Sequence, residues 1–184
     1  MKKALLIIGI LAILIGGYFW TTYNSLVSAN ETVDNQWAQV ESQYQRRFDL
    51  IPNLVNSVKG AMEQEQEVFN NIAEARTRYA GANTVNEKAE AATEVESALS
   101  RLLVIMENYP QLKSIDTVQT LMAQLEGTEN RISVERKRYN DTVQKFNVKV
   151  KRFPTNIVAG MLGYSEKTYF EAVAGAEQAP TVEF

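Results

Sequence analysis

The chain has no histidine and no cysteine. Without cysteine there are no disulfides, thiolate nucleophiles or zinc–sulfur centres, and the redox compartment stays open. Without histidine the commonest general base, the usual nucleophilic triads and most transition-metal sites are gone. Any catalysis would have to run on carboxylates, Lys, Tyr or Ser, and no enzymatic activity is expected. Glycine and proline are scarce, at 9 and 4 of 184 residues, which favours long helices over a turn-rich β fold. Excess positive charge is missing too: the formal net charge of −3 argues against a nucleic-acid binder.

What is present begins at the N-terminus. Residues 4–20 carry no charge, and as a helix this run spans about 26 Å, near the roughly 30 Å of a bilayer core. The expected transmembrane helix covers 4–22, with Ala4, Leu5, Leu14 and Trp20 among its anchor residues. Tyr18, Trp20 and Tyr23 mark its outer boundary as an aromatic belt. Lys2 and Lys3 precede the run and the next basic residue is Arg46, so the expected orientation is a cytoplasmic stub 1–3 and an extracytoplasmic remainder. Such a stub could not pass a signal inward unaided. The competing reading is a signal peptide cut near Val27-Ser28-Ala29. Against it, the apolar run exceeds an ordinary signal core, and heptad spacing starts upstream of that cut, at Tyr23.

Apolar residues then recur at alternating gaps of 3 and 4, the spacing of bundle and coiled-coil packing. The series run Tyr23 to Ile51, Leu54 to Tyr79, Ala92 to Tyr109 and Val118 to Phe153. Pro52, Gly81, the Thr84/Glu87 capping pattern, Pro110 and Ser114 punctuate them. The expected fold is all-α: the transmembrane helix plus an elongated antiparallel four-helix, coiled-coil-like bundle over 23–153. Its helices fall at about 23–50, 52–80, 84–108 and 114–152. A tail, 154–184, holds a short amphipathic stretch near 155–163 and frays from 174. Gly127, inside the fourth helix, leaves close helix approach or a bulge as alternatives.

Certain blocks within this pattern are specific. They are Tyr23-Asn24-Ser25-Leu26-Val27, Trp37, the run from Val40-Glu41-Ser42-Gln43-Tyr44 through Arg46-Arg47-Phe48-Asp49-Leu50-Ile51-Pro52-Asn53-Leu54-Val55, Glu74-Ala75-Arg76, Gly127-Thr128-Glu129-Asn130-Arg131-Ile132, Arg138-Tyr139-Asn140, Phe153-Pro154 and Phe170-Glu171-Ala172. In these the chain resembles the LemA family over essentially its whole length. Glu135 departs from the small residue expected there. The resemblance implies a bacterial protein with an N-terminal membrane helix, a long helical ectodomain and no known enzymatic activity.

Polar residues interrupt the apolar seams at Asn30, Arg47, Glu65, Glu129 and Arg136. They either sit at seam edges and pair to fix register, or build a ligand or ion site between helices. Aligning Ile51 with Ile115 across the first and fourth helices puts Arg136 near Asn30 and Glu31, and Glu129 near Trp37. Arg47 and Glu129 then lie about ten residues, roughly 15 Å, apart and are not expected to pair. Gln43, Arg46, Arg47, Asp49 and Asn53 gather at the turn expected at Pro52. They serve there as caps or as an interaction tip for another protein or a second copy, and Asp49 suits the start of the second helix. Glu63, Glu65 and Glu67 read as a solvated face. Arg138, Lys145, Lys149 and Arg152 form a basic stripe, either solvated or facing anionic lipid.

Taken together, these features point to a membrane-anchored helical scaffold or interaction protein of the bacterial cell envelope. It is a single-pass inner-membrane protein that self-associates. Expected partners are lipids, a second copy and other envelope proteins, with no cofactor, no metal and no nucleic acid. The alternative is an envelope sensor that binds a small molecule or lipid between helices.

Overall fold

A computed structural model describes residues 2–170, and every regular element among them is helical: α1 (Lys2–Val58), α2 (Gln66–Gly81), α3 (Val85–Met106), α4 (Pro110–Lys113), α5 (Asp116–Lys151) and α6 (Thr155–Met161). The expected tail beyond residue 170, and Met1 of the stub, lie outside the described residues.

The first helix does not end at Pro52. It runs on to Val58, with the proline inside it. Proline in a helix interior costs about 3 kcal/mol, because it gives up the bond to the carbonyl four residues back. Continuing the helix carries Leu54 and Val58 into the core, both fully buried. Each such burial is worth roughly 1.5–3 kcal/mol, which offsets the defect. The alternating spacing passes through Ile51, Leu54 and Val58 unbroken, so the packed face sees no interruption. The chain turns instead at residues 59–65. Met62 is buried in this turn, while Ala61, expected on the seam, is exposed.

The other ends have local causes. Thr84 caps α3 through a reciprocal capping box: its Oγ1 accepts from the Glu87 amide at 3.2 Å, and the Glu87 carboxylate accepts from the Thr84 amide at 3.1 Å. Pro110 opens the one-turn helix α4. Ser114, expected to cap the fourth helix, closes α4 instead, its hydroxyl donating to the Gln111 carbonyl at 2.7 Å. Asp116 in the first turn of α5 and Lys149 and Lys151 in its last turn suit the helix dipole. A Cβ on Gly127 would meet nothing within 4 Å, so no helix approaches there, and α5 runs through it.

The chain divides into two compact units, one of residues 2–39 with 137–169 and one of 40–136 with 170. In the first, the outer part of α1 and the end of α5 share a core of Leu26, Val33, Tyr139, Val143, Phe146 and Val150, with Val158 and Ala159 of α6. Trp37 meets Tyr139 edge-on, ring centroids 5.3 Å apart. The segment after α6 has no regular structure and packs back on α5. Asn147 holds it by donating to the Lys167 carbonyl and accepting from the Lys167 amide, both at 2.8 Å. Phe153, the expected last seam residue, is 75% exposed.

In the second unit α1, α2, α3 and α5 all contribute to one core, including Tyr44, Ile51, Leu54, Ile72, Val95, Leu99, Leu102, Val118 and Ile132. Phe48 and Tyr79 stack edge-on at 4.6 Å, and Tyr44 touches both rings. Arg78 of α2 clamps Glu94 of α3 with two bonds of 2.8 and 3.0 Å.

Candidate functional site

In the second unit three of the seam polar residues, Arg47, Glu129 and Arg136, fall in two paired groups. Arg47 and Glu129 pair, against expectation. Arg136 bonds Tyr44 and Glu96 in place of the expected Asn30 and Glu31. Its Nε donates to the Tyr44 hydroxyl at 2.8 Å, and its Nη2 reaches the same oxygen and Glu96. The guanidinium also lies over the rings of Tyr44 and Phe170, 5.3 and 4.6 Å from their centroids. Lys88 pairs with Glu41. The correction has one physical source: the alignment of Ile51 with Ile115 assumed a turn at Pro52. Because α1 continues for seven more residues to Val58, its partners on α5 shift by a comparable amount.

Burial sets the electrostatics. The Arg47 side chain is only 9% exposed, and burial lowers its pKa against the pull of Glu96 and Tyr44. Its Nε has no hydrogen-bond partner among the described residues. Burial likewise raises the phenols of Tyr44 and Tyr79, so both stay neutral. Beside Arg47, an open cleft of about 650 Å³ is lined mainly by Leu99, Leu103, Met122 and Leu125, with Glu129.

The expected interaction tip is not assembled. Gln43, Arg46, Arg47, Asp49 and Asn53 lie along the interior of α1, away from any turn. Arg46 and Asp49 are exposed, and Asp49 accepts from Gln45 at 2.9 Å rather than opening a helix. Asn53 reaches back to the Asp49 carbonyl at 3.5 Å, and the Gln43 side-chain oxygen is buried with no hydrogen-bond partner among the described residues. Of the other seam residues, Asn30 donates to Asp34 at 2.9 Å, and Glu65 accepts a long bond of 3.5 Å from Tyr109. Trp37 meets Tyr139, and Glu129 pairs with Arg47. Among the described residues no group of three acidic side chains is placed to hold a metal.

In the first unit Ala4, Leu5, Leu14 and Trp20 are all exposed along α1, which is long and apolar enough to cross a membrane. Tyr18 meets Thr155 hydroxyl to hydroxyl at 3.3 Å, and Lys149 donates to the Ser25 hydroxyl and carbonyl at 2.9 and 3.3 Å. The four stripe residues do not act alike: Lys149 turns to α1, while Lys145 and Arg152 are exposed. Asn147 and Lys167 escaped the sequence reading. A lone asparagine on a helix carries no signal that it will clasp backbone twenty residues on.

The pattern that defines the LemA family matches residues 36–184. The chain belongs to the LemA family. A LemA protein of Metamycoplasma hominis is 24% identical over 161 residues, covering 85% of this chain and 74% of its own. Two magnetosome proteins, MamQ 1 and MamQ 2 of Paramagnetospirillum magneticum, are each 25% identical over 175 residues. The match takes in 81% of this chain and spans 64% of those relatives' length. Most of the LemA match falls on α1 beyond the apolar run and on the helices that follow. LemA membership and the apolar helix together point to a membrane-associated helical protein.

Proposed function

We propose that this LemA protein is a membrane-anchored scaffold of the bacterial cell envelope that works by assembling with copies of itself or with other envelope proteins. The observation that carries this reading is α1: one helix holds the exposed apolar run and also supplies Tyr44, Arg47 and Ile51 to a packed core. On this reading the packed part is an antiparallel four-helix, coiled-coil-like bundle, and Lys2 and Lys3 keep the N-terminus cytoplasmic as an uncleaved signal-anchor. The protein is not an enzyme. On this reading the cross-helix pairs Lys88–Glu41 and Arg136–Glu96 serve to fix register. Cross-linking of full-length protein in native membranes should trap homo-oligomers at stoichiometric levels. A strictly monomeric protein in both membranes and nanodiscs would overturn self-assembly.

One observation favours a second reading, an envelope sensor for an apolar ligand. It is the cleft beside Arg47, with Leu99, Leu103, Met122 and Leu125 on its walls. Native mass spectrometry of gently extracted protein should then show a co-purifying species that Leu103→Trp excludes. Identical spectra for the two proteins would remove this reading.

A further inference from the structure

A second cavity, of about 260 Å³, lies wholly within the first unit. It is lined by Tyr18, Thr21, Thr22, Ser25, Lys149 and Thr155. Five of these carry hydroxyls and the sixth an ammonium; no carboxylate lines it. Hydroxyl donors around one cation are the chemistry of a phosphate oxygen cluster. Lys149 has three donors, and Ser25 engages it through its hydroxyl and carbonyl, so a donor remains for a ligand.

The depth of the pocket names the source of the phosphate. Tyr18 belongs to the uncharged run 4–20, and its hydroxyl bonds Thr155 at the start of α6. The pocket therefore sits at the outer end of the membrane-crossing segment, where headgroups lie. The surroundings agree. Phe153, in the turn before α6, and Ile157 and Met161, one turn apart on α6, are 75, 56 and 72% exposed, and Trp20 is 71% exposed. In water these large apolar side chains would be a liability; at the interface the acyl boundary covers them. Arg152, exposed beside Phe153, adds positive charge at the same level.

We propose that this pocket binds the phosphate of an anionic phospholipid, with Lys149 as the cation, further donors from the hydroxyls of Thr22, Ser25 and the Tyr18–Thr155 pair while Thr21 stays committed to the Tyr18 carbonyl, and Phe153, Ile157 and Met161 inserted among the adjoining acyl chains. The proposal goes beyond the scaffold reading and does not depend on self-assembly.

The test uses full-length protein in nanodiscs of phosphatidylcholine with one quarter phosphatidylglycerol. Lipids that stay bound after gentle release are identified by native mass spectrometry. Wild type should raise the phosphatidylglycerol-to-phosphatidylcholine ratio of the retained lipid about five-fold over that of the bilayer, the effect of one well-placed lysine. Lys149→Gln should abolish the enrichment, Lys149→Arg should keep it, and Lys145→Gln, on an exposed lysine of the same helix, should leave it unchanged. Thr155→Val, which removes one hydroxyl and leaves Lys149 in place, should reduce it in part. Helix content by circular dichroism keeps a folding failure distinct from a lost site. Enrichment that survives Lys149→Gln in a folded protein overturns the proposal. So does displacement of the retained lipid by millimolar inorganic phosphate, which would make the pocket a site for free phosphate.

Discussion

The two units of this chain draw on the same two long helices, α1 and α5, yet they are held together by different chemistry. In the unit of residues 40–136, α2 and α3 enclose a core in which aromatic rings and charges share the interior. Arg136, Tyr44 and Glu96 form one linked group, Arg47 and Glu129 another. In the unit of residues 2–39 and 137–169 the helices carry apolar contacts at the core, and the returning segment is held by the Asn147 clasp on Lys167, by Tyr139 donating to the Thr168 carbonyl at 3.3 Å, and by ion pairs of Lys167 with Asp34 and Lys151 with Glu166 outside the core. Interior charges are costly unless paired, so the first kind of core tolerates only one register. The second kind depends on apolar packing and on capture of the returning segment. Register is thus specified where charge is buried, while large apolar side chains of the other unit stay exposed along the first part of α1.

The sharpest way to break this contrast is Glu129→Ala. It strands a guanidinium that is 9% exposed, and unfolding of the full-length protein in detergent should show a loss of about 2 kcal/mol. Adding Arg47→Met should restore most of it. If the single substitution proves neutral, the buried pair is not what specifies that unit. Next in size, Asn147→Ala should cost about 1.5 kcal/mol, seen as faster hydrogen exchange at the Lys167 amide with amides of α2 and α3 unaffected. Uniform loss across both units would erase the distinction.

Gly127→Ala should act in the opposite direction. Nothing lies within 4 Å of the new Cβ, so α5 should gain about 1 kcal/mol, measured as a raised urea midpoint. The smallest effect is a pH dependence at the α3 cap. Hydrogen bonds from the Asn83 and Thr84 amides hold the exposed Glu87 carboxyl below its ordinary value of 4.5. A depressed folded-state pKa means its contribution is complete above 4.5 and lost as pH falls through the lowered value. Protection of the first α3 amides should therefore drop on acidification below that point, and Glu87→Gln should flatten the drop.

Much of this was legible beforehand, and the misses share a cause. Leu26, Val33, Val40, Tyr44, Ile51, Leu54 and Val58 are buried as a 3–4 periodicity requires. The capping box at Thr84 and Glu87 follows from two residue types at one spacing. Pro52 misled because its local penalty is easily seen while the burial that outweighs it is not. That single boundary moved the register of α5 against α1, and with it every cross-helix pair that a simple alignment could name.

By itself the sequence determined that the chain is helical, that one apolar run is fit to cross a membrane, and which residues are candidates for the seams. These follow from local propensity and from periodicity, which need no partner. Only the tertiary structure decided that α1 runs through its proline, that Arg47 meets Glu129 and Arg136 meets Tyr44, and that Lys149 and five hydroxyls line one open pocket. Those outcomes compare a local cost with burial contributed by residues far away in the chain, and that balance exists only once the helices have packed.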